Sequence, residues 1–113
     1  MDQQDREGTA EMVLFRRQLG DVLRSERMRR GMTLRELSSE ARVSLGYISE
    51  IERGQKEASS ELLASLCDAL EVPLSDVLRE VSDTVALEEA RLLAEASALR
   101  VPTRGGDVVA SAA

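Results

Sequence analysis

The sequence predicts an all-α fold, and three observations predict it. Aromatic residues are scarce, with one Tyr and one Phe in 113 residues. The core must therefore be Leu, Ile, Val and Ala, which favours small helices over a sandwich of sheets. Apolar residues recur at steps of three and four along most of the chain, the period of a helix face. Ser or Thr stands ahead of three such runs, at Thr33, Ser44 and Ser59, where a side-chain oxygen can accept an orphan N–H of a first turn.

Taken in order, residues 1–10 are polar and aperiodic and are expected to be disordered. A first helix is expected from Glu11 or Met12 to Arg30, with Leu14, Leu19, Val22, Leu23 and Met28 as its apolar stripe and Gly31 as its stop. Arg27, Arg29 and Arg30 crowd its last turn, where they either compensate the helix dipole or contact phosphate.

Thr33 to Gly54 is the stretch around which the chain is organised. Thr33 with Glu36 forms a capping box, and Leu34, Leu37 and Ala41 share one helix face. Ser44 caps a second short helix, in which Leu45, Ile48 and Ile51 recur at steps of three before Gly54 ends it. Helices this short are unstable alone. They must bury their apolar faces in a shared core, leaving the second helix projecting: a helix-turn-helix, whose second helix enters a DNA major groove.

After a loop at residues 55–58, Ser59 caps a fourth helix with Leu62, Leu63, Leu66, Cys67 and Leu70 on its buried face. Cys67 reads as a small core residue, with a redox-sensing thiol as the other possibility. Val72-Pro73 ends that helix, and Leu74, Val77 and Leu78 make a short fifth one that completes a domain over residues 11–79. Residues 80–100 read as a separate helix of about four turns, with Asp83 as a possible cap. Leu78, Val85, Leu92 and Leu99 recur every seven residues, with Val81 and Ala96 beside them. So narrow a stripe suits a seam for a partner helix; the other option is that it folds back on its own domain. Residues 101–113, with Pro102, Gly105 and Gly106, read as a flexible tail.

Composition bounds the function. There is no histidine and one cysteine, which excludes the usual zinc clusters and any intrachain disulfide. No phosphate-cradling glycine loop is present, the carboxylates are scattered, and neither an enzyme nor a cofactor is expected. No apolar run approaches membrane-spanning length and no signal peptide is evident. A cytoplasmic, nucleoid-associated location is the expectation, with no membrane partner. The net charge of −6 conceals an uneven distribution. Residues 16–56 hold ten Lys or Arg against six acids, while residues 57–113 hold four against eleven. The positive field therefore sits on the segment that carries the motif.

The run Ile48-Ser49-Glu50-Ile51-Glu52-Arg53-Gly54 resembles the signature of the lambda-repressor-like (Cro-type) helix-turn-helix family. The resemblance covers Leu19 to Leu78 and implies a five-helix DNA-binding domain. Ala41-Arg42-Val43-Ser44-Leu45-Gly46-Tyr47 and Ser59-Ser60-Glu61-Leu62-Leu63 further resemble the actinobacterial regulators of Clp protease genes, which implies an activator of such genes. The resemblance assigns Leu45, Gly46, Tyr47, Ser49 and Glu50 to the groove, and Ser44 belongs with them. Leu45 suits a thymine methyl, Gly46 a close backbone approach, Tyr47 a phosphate or a base edge, and Ser49 either a donor or an acceptor. Glu50 can accept from cytosine or hold an arginine such as Arg35 or Arg53. Arg53, Gln55 and Lys56 follow where the family meets the phosphate backbone, and Arg42 in the turn can reach another phosphate. The family also implies that Glu52 belongs to a structural Glu-Arg-Gly ending, in which the acid and Arg53 stabilise the fold and the exit loop, and so lies outside the site. Relatives often carry Gln where Leu34 stands, which leaves Arg35 to brace the phosphate with different geometry. Many have Gly or Asn where Arg42 stands, so either Arg42 adopts a strained positive φ or the turn differs.

The expected partners are a palindromic double-stranded DNA operator and a second copy of the chain. RNA polymerase, through Glu36 and Glu40, is a further candidate. So is Clp protease, because the end Val108-Val109-Ala110-Ser111-Ala112-Ala113 resembles tags seized by Clp-type unfoldases. The competing reading is an antitoxin-like protein-binding module that autoregulates its own operon.

Overall fold

The computed structural model describes the backbone of residues 2–100 and the side chains of residues 14–98. Within that span the chain forms five helices: α1 (Asp2–Arg29), α2 (Leu34–Ala41), α3 (Leu45–Glu52), α4 (Ser60–Leu70) and α5 (Leu74–Arg100). The long α1 packs against α3 and α5, α2 lies between α3 and α4, and α4 rests on α5. The core at their meeting point includes Leu19, Leu23, Leu37, Ile48, Ile51, Leu66, Leu70 and Val77, each at most 2% exposed.

The expected caps are formed. Thr33 Oγ1 accepts the Glu36 N–H at 3.0 Å while Glu36 Oε1 accepts the Thr33 N–H at 2.9 Å. Ser44 and Ser59 each accept an N–H three residues on, from Tyr47 and Leu62, at 3.1 Å. The turn between α2 and α3 runs through Arg42 in the left-handed region, φ 61° and ψ 44°. The Arg42 N–H bonds to Ser38 O, and the Ser38 hydroxyl donates to Val43 O at 2.5 Å. These bonds hold a non-glycine residue where its Cβ crowds the following carbonyl.

Both long helices differ from the sequence expectation. α1 begins at Asp2 rather than Glu11: Gly8 costs a helix only about 1 kcal/mol, and nothing else there breaks it. The fifth and C-terminal helices are one continuous α5, with Asp83 inside it and capping nothing. No Gly or Pro lies between Leu74 and Arg100 to release the backbone. In its far half Arg91 pairs with Glu88 and, at 2.8 Å, with Glu95, contacts at helical spacing that support an exposed stretch. On α1 the buried row is Leu19, Val22, Leu23 and Glu26, and Met28 is 57% exposed. Positions 19, 22, 23 and 26 follow one helix face, so the last place in that row falls to a carboxylate. At the other end of the core Val81 closes the row in place of Leu78, which is 43% exposed. Cys67 is buried among leucines. Burial, with Glu26 and then Asp68 nearby, pushes its thiol pKa up, which makes it a poor nucleophile.

α1 and α3 cross at backbone contact. A Cβ on Gly20 would stand 2.4 Å from Ile51 O and 2.6 Å from Glu52 O, and one on Gly54 would stand 2.8 Å from Arg17 Cγ. Gly20→Ala is therefore expected to destabilise the fold by at least about 1–3 kcal/mol, the cost of overpacking. Arg42→Gly should do the reverse, adding about 1 kcal/mol by removing the left-handed penalty. Urea denaturation of the two variants beside the parent measures both, and opposite signs are required.

Candidate nucleic-acid interface

α3 has two faces. Ile48 and Ile51, each 1% exposed, fix the helix to the core. Leu45, Gly46, Tyr47, Ser49 and Glu50 all remain accessible in part or in full. Among the described residues, apart from its chain neighbours and its own helix backbone, no atom lies within 4 Å of where a Gly46 Cβ would be, so this point on the outer face is open to an approaching backbone. Ser44, acting as the cap, accepts from Tyr47 N–H and keeps its own proton for an outside acceptor.

The exit from α3 is tied back onto it. Gly54, at φ 75°, sends its N–H to Ile51 O, and Gln55 sends its N–H to Glu50 O at 2.8 Å, a left-handed helix ending. Arg53 donates to Ser49 Oγ at 2.6 Å and to Gln55 Oε1 at 3.5 Å. Lys56 Nζ lies 3.9 Å from Glu50 Oε1 and 6.0 Å from the centre of the Tyr47 ring. The Tyr47 hydroxyl donates to Glu57 O at 3.1 Å. The Glu57 carboxylate pairs with Arg16 of α1 at 3.4 Å. The structure thus gathers Tyr47, Ser49, Glu50, Arg53, Gln55 and Lys56 into one linked group. Arg35 and Arg42 stand apart from it, exposed at the start of α2 and in the turn. Arg42 takes the positive φ; the turn does not rearrange to avoid it.

Two acids of α3 find their partners in the tertiary structure. Glu50 holds Lys56, not Arg35 or Arg53, because Arg53 turns back to Ser49 one helical turn earlier. Glu52, 8% exposed, has the structural role expected of it, with Arg27 as its partner. Arg27 donates to it twice, Nε to Oε2 at 2.7 Å and Nη2 to Oε1 at 2.9 Å, and its third nitrogen donates to Met32 O at 2.9 Å. The Glu52 hydrogen bonds hold Arg27 above even the usual guanidinium pKa. Arg27, in the last turn of α1, therefore has its donors committed within the chain and not to phosphate; it joins α1, the α1–α2 loop and the end of α3. Arg29 pairs with Glu26 at 3.1 Å and Arg30 donates to Glu71 O at 3.1 Å. Sequence reading missed Arg27–Glu52 because its partners lie 25 residues apart. Gly20 did leave a signal, a lone glycine inside a helical pattern, which often marks a close approach.

The expected seam residues on α5 divide. Val81, 2% exposed, belongs to its own core and is not on an open face, because the continuous α5 carries it into the bundle. Val85 is half-buried against that core. Leu92 and Ala96 are exposed, and Leu87 and Leu93 are each 70% exposed. Leu92, Leu93 and Ala96 help line a groove of about 800 Å³ against Leu14 and Arg17 of α1. The Leu99 side chain lies outside the described residues. Among the described residues no helix is long and apolar enough to cross a membrane.

This arrangement of helices and site has known counterparts. A helix-turn-helix domain model matches residues 18–81, and the chain belongs to that family of DNA-binding transcription regulators, of the Cro type and not enzymes. It is similar to the transcriptional regulator ClgR of Mycobacterium tuberculosis, with 59% identity over 77 residues, 68% of this chain and 69% of that protein. The crystal structure of the clp gene regulator ClgR from Corynebacterium glutamicum superposes with a TM-score of 0.66 at 50% identity, covering 77% of this chain and 89% of that one. The restriction-modification controller C.AhdI of Aeromonas hydrophila shares the fold at a TM-score of 0.53 and 26% identity, over 58% of this chain and 94% of that one.

The Arg27–Glu52 pair is the site's anchor, with side chains only 11% and 6% exposed. Arg27→Ala leaves a buried carboxylate without its cation and is expected to cost about 3–5 kcal/mol. Removing both, as Arg27→Met with Glu52→Leu, should cost clearly less than the single change. A denaturant titration of the three proteins checks the order.

Proposed function

We propose that this chain is a homodimeric, sequence-specific activator of Clp protease and related proteolysis or stress genes, acting in the cytoplasm on the nucleoid. One observation carries the DNA-binding mode: the open outer face of α3 around Gly46, with exposed cations before it in the chain at Arg35 and Arg42 and after it at Arg53 and Lys56. An α-helix fits a major groove, and cations at its flanks meet phosphate. The choice of genes is supported by the likeness to clp gene regulators. In this reading the groove is entered by Ser44, Leu45, Gly46, Tyr47, Ser49 and Glu50. The exposed leucines of α5 pair two copies, which sets two α3 helices on a palindrome with half-site centres about 34 Å apart, one turn of DNA. Glu36 and Glu40, exposed on α2, are the surface offered to RNA polymerase. The Clp-readable end proposed at residues 108–113 lies outside the described residues.

Footprinting of the full chain on the promoters of its own clp genes should protect a two-part, inverted-repeat site. Protection of one unpaired half-site at saturation rules out the paired reading. Arg53→Ala and Lys56→Ala should weaken binding to every sequence and lower the salt slope by about 0.9 for each phosphate no longer neutralised. Ser49→Ala should instead change the ranking of operators. Leu92→Asp with Leu93→Asp should give a folded monomer with much weaker operator affinity; a dimer in sedimentation would count against the α5 interface.

A further inference from the structure

We propose that Tyr47 is a positioning residue that presents Lys56 to the DNA backbone and reads no base itself. This rests on the DNA-binding reading and adds a division of labour within it.

The phenol has one proton to donate, and it is already directed within the chain, to Glu57 O at 3.1 Å. One part of the ring packs against the core, so the side chain is not a free probe. The centre of the same ring is 6.0 Å from Lys56 Nζ, within reach of a cation–π contact. Glu50 Oε1 lies 3.9 Å from that nitrogen. Tyr47 therefore touches the loop at two points: its hydroxyl fixes the carbonyl of Glu57, and its ring faces the Lys56 ammonium.

The loop needs such a hold. Gln55 is bonded to Glu50 O and Ala58 packs against the core, which leaves Lys56 and Glu57 on irregular backbone between two fixed points. The other tie at Glu57 is its carboxylate to Arg16, and that carboxylate side chain is 78% exposed, which makes it a weak restraint. Lysine is a compact charge on a flexible stem. Ordering the stem and the backbone beneath it before DNA arrives lowers the entropic cost of binding. A phosphate contact strengthened in this way gains affinity for every sequence alike.

The test is Tyr47→Phe, which keeps the ring and removes only the hydroxyl, made alone and with Lys56→Ala in the full-length chain. Affinity is measured for the operator, for a set of its single-base variants and for an unrelated duplex, over a range of salt. The expected result is a loss of about twofold to tenfold, the range of one hydrogen bond, equal for all duplexes and with the order of base variants unchanged. In the Lys56→Ala background the same change should cost much less, because the two residues act as one unit. In the free protein, amide hydrogen exchange over residues 55–57 should quicken. An altered order of base variants, a full loss in the Lys56→Ala background, or unchanged exchange in the loop would each overturn the proposal. Failure of the wild type to bind any duplex at low salt would defeat the DNA-binding reading itself. Binding by the wild type with any of the other results defeats only the role given to Tyr47.

Discussion

The site depends on how the end of α3 is held against α1. A recognition helix of eight residues has too few internal bonds to keep its own direction. Here its last turn meets Gly20 at a distance that admits no side chain, and its last residue is clamped by Arg27. The first contact sets the separation of the two helices, and the second sets their rotation. A guanidinium fork matches a carboxylate only in one plane, so the pair tolerates little turning of α3. The third nitrogen of Arg27, on Met32 O, extends the same restraint to the stretch of chain that enters α2. Burying this pair adds little net stability compared with apolar residues of similar volume. Its value lies in geometry, since it fixes the direction of the helix proposed to enter a groove.

With the inner face fixed, the outer face can be small. Leu45 and Gly46 leave room near the start of α3, and the polar groups of Tyr47, Ser49 and Glu50 bond onward to the exit loop or its cations. The surface proposed to meet DNA thus has its polar groups already bonded and cations placed at its edge. Preparation of this kind lowers the cost of ordering on binding. A chain of net charge −6 can still serve a polyanion, because residues 16–56, which carry α3, hold ten Lys or Arg against six acids.

The left-handed Arg42 belongs to the same economy of space. The turn admits only Val43 and Ser44 between it and α3, and Ser38 bonds across it. A positive φ lets the chain reverse within three residues. Glycine would do so with less strain but would carry no charge to the surface where phosphate is expected.

Sequence alone settled the three short helices, their caps and most of the core, because these follow from residues close together in the chain. Thr33 with Glu36, Ser44, Ser59 and Gly54 act over three or four residues, and the periodic leucines need only a common face. Local signals also placed the helix-turn-helix and its accessible residues. Tertiary structure decided what depends on distant partners. It paired Glu52 with Arg27 across 25 residues. It buried Glu26 in place of Met28, and it drew Val81 out of the seam and into the core. It also fused two expected helices into one α5, since no residue was present to break the helix and packing against α1 and α4 favoured its continuation. The reason is the same throughout: a cap or a period is a local event, whereas the partner of a buried charge and the face a long helix turns inward are fixed only when other helices arrive.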